Sequence, residues 1–358
     1  MARSASTNPA SANSASTRST NPAPVRENSA LTKRSAGDAA VAAGPGRGGP
    51  RRRTARRRRL VDSVTIGAFL SPALLLFALL VLVPILYALY TSLFKWGGFG
   101  APENFVGLDN FTTLLKDDVF LGDLWRGFVL IALSVGVQLP FALSMALLLN
   151  QRLRGRAFYR LLFFAPYVLS EVITGVLFTM IFSPDSGLAD HALDQVGLGD
   201  LGITWFASSS TVLVTLFLVM TWKYFGFHMI LYLAGLQSVP RDVLEAAAID
   251  GAGAWQRFRY VTLPLLGPTI RISVFLSIIG AIQLFDLVWV ITAGGPVHAS
   301  ETMAITMFQF GFKRYQVGYA SAISVAMFLI SFVFALLYQR YVLRRDLEGA
   351  VTSMRGRR

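Results

Sequence analysis

Between Asp62 and Lys95 the chain runs for 32 residues without one charged side chain. A helix rises about 1.5 Å per residue, so about 20 apolar residues suffice to cross the hydrocarbon core of a bilayer. The pattern repeats down the sequence. Arg126 and Arg152 enclose 25 uncharged residues, and 161–184 carries only Glu171. Residues 201–240 carry only Lys223, with a second half long enough to span; 260–300 carry only Arg271 and Asp286; 315–339 carry no charge. The expected fold is therefore all-α, a polytopic bundle of six transmembrane helices. Composition agrees, at 54% hydrophobic and 15% charged residues against about 25% charged in soluble domains. A soluble two-domain enzyme is excluded on those grounds. The absence of Cys excludes disulfides, thiolate metal sites and cysteine nucleophiles, and His191, His228 and His298 lie too far apart in sequence to suggest a zinc site.

The charge is unevenly spread. Residues 1–59 hold 13 Lys and Arg and only two acids, Glu27 and Asp38, in an Ala-, Ser- and Arg-rich stretch without apolar periodicity. Residues 1–60 are expected to be a disordered tail, because such a segment buries too little surface to offset its ordering entropy. Residues 61–345 would form the membrane domain and 346–358 a short basic tail. Cytoplasmic connections are rich in Lys and Arg. With both termini cytoplasmic, the inside segments hold 26 basic residues and the outside connections five. The run Arg51–Arg59, directly before the first span, reads as an orientation signal and a contact for anionic lipids. No aromatic residue interleaves it for base stacking, so nucleic acid is not an expected partner.

Two phosphate-binding patterns fail on context. Gly44-Pro45-Gly46-Arg47-Gly48-Gly49 matches a dinucleotide fingerprint but lies in the tail rather than between a strand and a helix. No lysine is followed by Ser or Thr, as a P-loop requires. ATP, if used, binds another chain.

The connection between the fourth and fifth apolar segments is the most informative stretch. Pro240 suits a helix start, Asp242 complements its positive end, and Ala246, Ala247 and Ala248 favour helix while adding little bulk. Asp250-Gly251 stops that helix, since Gly tolerates a left-handed cap. A second short helix over 252–260 should follow, with Pro264 marking the start of the fifth span. The surface is one that a partner can approach closely.

Glu245-Ala246-Ala247, three residues, Gly251, nine residues, then Val261-Thr262-Leu263-Pro264 resembles the EAA loop of the integral-membrane subunits of bacterial ABC importers, with Val261 where the family has Ile. Gly107-Leu108-Asp109-Asn110-Phe111, Gly155-Arg156, Leu233–Pro240, Gln283-Leu284-Phe285-Asp286, Gly294-Gly295-Pro296 and Gly318-Tyr319-Ala320 resemble, in the same order, sugar-uptake permeases of the maltose-type first-subunit kind in its six-span form. Glu171 and Arg126-Gly127-Phe128 depart from the family pattern. The resemblance implies a non-catalytic permease subunit in a bacterial cell membrane, importing carbohydrate by alternating access. Its partners would be a second permease subunit, two cytoplasmic ATPase subunits carrying ATP and Mg, an external solute-binding protein and the sugar itself. Glu245, Ala246, Ala247, Asp250, Gly251, Leu263 and Pro264 would couple to the ATPase.

Ionisable groups inside spans cost about 2.5–3.5 kcal/mol each on insertion scales and are functional candidates for that reason. Glu171 and Asp286 are the carboxylate candidates for the translocation pathway, with Gln283 as an amide that can pair with sugar hydroxyls and Trp222 and Tyr224 as ring faces. Lys223 and Arg271 read equally as packing or snorkelling residues. The rival class is a secondary transporter in which Glu171 and Asp286 carry protons or sodium; it calls for paired broken helices, of which the residues carry no convincing sign.

Overall fold

A computed structural model describes residues 65–151, 153–184, 187–197 and 204–343. The chain divides into two units, Met1–Ile66 and Gly67–Arg358, and the helical bundle is the second. The expected tails, the Arg51–Arg59 run and the glycine-rich Gly44–Gly49 segment lie outside the described residues. Every regular element among the described residues is helical; pairing of extended backbone is limited to one isolated bridge, Phe94 to Phe105.

In chain order the helices are α1 (Thr65–Thr91), α2 (Asp109–Leu114), α3 (Asp118–Leu149), α4 (Arg156–Val168), α5 (Glu171–Ile181), α6 (Leu188–Gln195), α7 (Val212–Gln237), α8 (Arg241–Ile249), α9 (Ala254–Leu265), α10 (Gly267–Ile282), α11 (Asp286–Ile291), α12 (Met303–Phe308) and α13 (Val317–Leu343). Four of them, α1, α3, α7 and α13, are long and apolar enough to cross a membrane unaided. Two bent pairs, α4 with α5 at 97° and α9 with α10 at 66°, are long and apolar enough only when each is taken together, as a broken span or a re-entrant loop, giving up to six. Among the described residues four helices are thus clear spans and up to six are possible, where six were expected.

Interior prolines account for several irregularities. Proline has no N–H to donate, and its ring crowds the carbonyl four residues back. Pro84 in α1, Pro140 in α3 and Pro264 in α9 each follow a π-helical turn, Ala78–Leu82, Ser134–Gln138 and Phe258–Thr262, where the widened helix makes room for the ring. Pro166, in the last turn of α4, is followed within three residues by the sharper break.

The second span begins earlier than the uncharged run suggested. Asp117 caps α3, accepting from the N–H groups of Val119 and Phe120, and the helix carries Asp123 and Arg126 with it. These charges are satisfied internally. Arg126 donates to Asp123 at 2.5 Å and to the Glu301 carbonyl at 2.8 Å, while the Thr306 hydroxyl donates to the other oxygen of Asp123. A charge-free window therefore marked only the apolar part of a longer helix.

α7 is the central element, 56% of its spanning window being buried, whereas none of the α1 window is. It packs against the second half of α3, against α4 and against α10; α11 lies on α5, and α13 on α12 and the second half of α1. At the α4–α7 contact the backbones nearly touch. A Cβ on Gly226 would fall 1.9 Å from the Phe163 carbonyl oxygen, so only glycine permits that approach. Buried Leu130, Val212, Leu216, Leu287, Val288 and Ile305 form one core cluster; Ala142, Ala146, Met229, Tyr232 and Leu266 belong to another.

Candidate functional site

The break between α4 and α5 is built from two extended residues, Leu169 (ψ 144°) and Ser170 (ψ 143°). Ending a helix inside the bundle strands carbonyls without a partner, and a buried unsatisfied carbonyl is costly. Lys223 of α7, 2% exposed, meets that need: its ammonium donates to the Leu169 carbonyl at 2.6 Å. Lys223 is thus an internal clamp on the bend, neither snorkelling nor facing an open path. The Arg271 backbone carbonyl accepts a hydrogen bond from the Tyr338 hydroxyl at 2.8 Å, joining α10 to α13.

The break places Glu171 in the first turn of α5, where the positive end of the helix favours a carboxylate. The Tyr224 hydroxyl of α7 donates to it in a short hydrogen bond. A second interruption, over residues 283–285, ends α10 and sets Asp286 in the first turn of α11. Here the stranded carbonyl of Leu284 is satisfied by the buried Thr302 hydroxyl at 2.8 Å. Two helix breaks, each repaired by a side chain from elsewhere, therefore deliver two carboxylates.

Both carboxylates line one cavity of about 340 Å³. Its wall includes Glu171, Tyr224, Gln283 and Asp286, four of the five residues singled out as pathway candidates. The fifth, Trp222, stands elsewhere. Its ring meets Phe178 edge-on at 5.0 Å, and it borders a separate apolar space with Phe141, Leu162 and Phe163. Sequence reasoning missed other members of the wall: Ser134, Gln138, Tyr167, Phe227, His228 and Ser277. Ser134 donates to Gln138 at 2.6 Å and lies 2.7 Å from Ser277 across to α10, while His228 Nδ1 lies 2.7 Å from Ser273. Their signal was present as polar residues four apart in apolar helices, Ser134 with Gln138 and Ser273 with Ser277, which share a helix face. Chemically the wall mixes acceptors, hydroxyls, amides and aromatic faces, a set suited to binding a polyhydroxylated solute and letting it go. Among the described residues no cluster of His, Asp and Glu has metal-binding geometry.

The loop after α7 forms a second candidate region. Pro240 caps α8, with Asp242 in the first turn. The helix stops at Asp250, and Gly251 adopts φ +80°. Gly251 N–H donates to the Ala248 carbonyl at 3.1 Å and Ala252 N–H to the Ala247 carbonyl at 3.0 Å, the paired bonds of a Schellman turn. Gly253 N–H, bonded to Gln256 Oε1 at 2.8 Å, starts α9. The second helix is longer than the spacing suggested. It continues through Leu263 and Pro264 to Leu265, and α10 starts at Gly267 after the turn at buried Leu266. The π turn before Pro264 lets the helix absorb that residue rather than end there.

No residue of α8 is buried; Glu245, Ala246, Asp250 and Gly251 are exposed and Ala247 is half-buried. Large apolar side chains stand out beside them, Ile249 at 86% exposure, Trp255 at 71% and Tyr260 at 73%.

A family profile described as "Binding-protein-dependent transport system inner membrane component" matches residues 138–346. The chain is 32% identical over 275 residues to the probable ABC transporter permease protein YurN of Bacillus subtilis, covering 76% of this chain and 94% of that protein. It is 32% identical over 288 residues to the sulfoquinovosyl glycerol transport system permease protein SmoG of Agrobacterium fabrum, covering 80% and 93%. Identity to the diacetylchitobiose uptake system permease protein NgcF of Streptomyces coelicolor is 32% over 295 residues, covering 79% and 84%. The crystal structure of a bacterial ABC transporter involved in the import of the acidic polysaccharide alginate contains a chain that superposes with a TM-score of 0.70 at 22% identity, covering 80% of this chain and 99% of that one. At that identity the likeness is one of fold.

Proposed function

The chain belongs to the family of binding-protein-dependent transport system inner membrane components, and on that premise we propose that it is the permease subunit of an ATP-driven carbohydrate importer. Family membership makes it a transport component and not an enzyme. The carbohydrate class is supported by relatives named for sulfoquinovosyl glycerol and diacetylchitobiose. In this reading the chain is a six-span subunit of the maltose-type first-permease kind, with both termini cytoplasmic in a bacterial membrane. It pairs with a second permease subunit, for which the unburied face of α1 offers surface, and works with two ATPase subunits and an external solute-binding protein.

The observation that carries the mechanism is the exposed α8–α9 hairpin, fixed at Gly251 and continuous with the fifth span. Glu245, Ala246, Ala247, Asp250 and Gly251 would seat in a groove of an ATPase subunit, while Leu263 and Pro264 pass its movement into α10. α10 carries Ser277 and Gly280 of the cavity wall, and α11 begins with Asp286 beyond it. Movement of the hairpin would therefore reach the wall through one continuous lever, giving alternating access driven by a two-state element. Glu171, Tyr224, Gln283 and Asp286 would face the solute; Trp222, off the cavity, would serve the pathway only as packing behind Phe178.

The test is solute uptake into membrane vesicles with the ion gradient clamped. Uptake that stops on ATP depletion is expected; uptake that persists identifies an ion-coupled carrier and refutes the reading.

A further inference from the structure

The charge facing the cavity is of one sign. Glu171 and Asp286 line it, and no Lys or Arg among the described residues does. The nearby cation, Lys223, is buried beside the break with its ammonium committed to the Leu169 carbonyl. It presents no donor to the cavity. The positive end of α5 would by itself draw an anion, yet the carboxylate of Glu171 already occupies its first turn. The Tyr224 hydroxyl, a donor that an acidic solute could otherwise use, is taken up by Glu171, and the Ser134 hydroxyl by Gln138.

We propose that this chain's share of the pathway is an electrostatic filter, set by Glu171 and Asp286, that passes uncharged and basic carbohydrates and turns back acidic ones. The proposal rests on the carbohydrate-import reading and narrows its substrate class. Two carboxylates facing one cavity, with no Lys or Arg of the described residues on its wall, give it a negative potential, so a uronate, sulfonate or phosphate meets repulsion. Hydroxyl and ammonium groups instead find acceptors.

The chain contains no Cys, so one introduced thiol reports the potential directly. Gly280 lines the cavity, and a side chain there meets nothing within 4 Å. In membranes carrying the assembled importer and turning over ATP, Gly280→Cys is treated with a cationic trimethylammonioethyl or an anionic sulfonatoethyl methanethiosulfonate. Modification is read as a mass shift of this chain. Ser209→Cys, at an exposed position between α6 and α7, is the reference. The cationic-to-anionic rate ratio at 280 is expected to exceed that at 209 by about tenfold or more. It should collapse in Glu171→Gln/Asp286→Asn, and fall partway in Asp286→Asn alone, whose exposed side chain makes it the safer variant to fold. Equal ratios at the two positions, or a ratio that survives neutralisation, overturn the filter and leave the import reading standing. Failure of both reagents at 280 overturns both, since a solute path must admit water. In proteoliposomes of the whole importer offered neutral, amino and uronic-acid oligosaccharides, ATP should drive accumulation of neutral or amino species only. Accumulation of uronic-acid species overturns the filter, and accumulation of none overturns the import reading with it.

Discussion

Lys223 has its hydrogen-bond partner 54 residues away, at the Leu169 carbonyl. A cation in an apolar helix invites a transport role, but here the ammonium supplies the donor that a broken helix lacks. Lys223→Met keeps much of the buried stem and removes that donor, leaving the carbonyl unsatisfied at a cost of about 1–3 kcal/mol. The expected result is a lower thermal midpoint of the purified assembly, partly restored by Lys223→Arg; an unchanged midpoint would show that the bond contributes nothing. Glu171 and Asp286 were legible as candidates because a lone carboxylate in an uncharged run stands out in any sequence. The serines and His228 of the same wall stood out less, because a hydroxyl in a helix is cheap, and the four-residue spacing of Ser134 with Gln138 and of Ser273 with Ser277 shows a shared face but not what that face meets. Trp222 shows the converse. Its neighbour Tyr224 lines the cavity, but two residues apart on a helix point to different sides, and the ring packs on Phe178 instead.

Among the elements, the uncharged runs located all six apolar regions, while their internal geometry came from contacts that no local pattern encodes. The 97° bend between α4 and α5 needs Pro166 nearby, Leu169 and Ser170 extended and Lys223 opposite, and only the first of these can be read locally. Bent helix pairs by themselves do not mark an ion-coupled carrier, since this chain has them and belongs to a different family. The α8–α9 turn was legible because Asp250-Gly251 carries its own stop signal, whereas the length of α9 was not, because Pro264 is accommodated by a π turn. Close packing of α4 on α7 makes a further prediction. Gly226→Ala places a methyl group 1.9 Å from the Phe163 oxygen, so the helices must part. Overpacking of this kind costs about 1–3 kcal/mol, and the thermal midpoint of the assembly should fall. Gly280→Ala, in open space, should leave it unchanged. Equal midpoints for Gly226→Ala and the parent would show that the two backbones are not in tight contact.

For the whole molecule, the proposed topology sets the α8–α9 hairpin on the same side of the membrane as Gln151 and opposite Ser209. In this cysteine-free chain, an impermeant thiol reagent added outside should label Ser209→Cys and spare Gln151→Cys; the reverse would invert the bundle. Within the bundle, α10 runs from the exposed α8–α9 hairpin to the wall of the cavity that holds Glu171 and Asp286. The central claim is that the hairpin couples this chain to an ATPase. Glu245→Lys reverses an exposed charge on α8 without touching a span. Gly251→Val imposes a β-branched side chain at φ +80°, where an L-residue is strained by roughly 1–2 kcal/mol, although nothing lies within 4 Å to clash. The most direct measurement is co-purification of the ATPase subunits with each variant from membranes, alongside uptake. Both variants should insert at parental levels and lose most of the bound ATPase and the uptake together; retention of ATPase and uptake in both would show that the hairpin is not the coupling element.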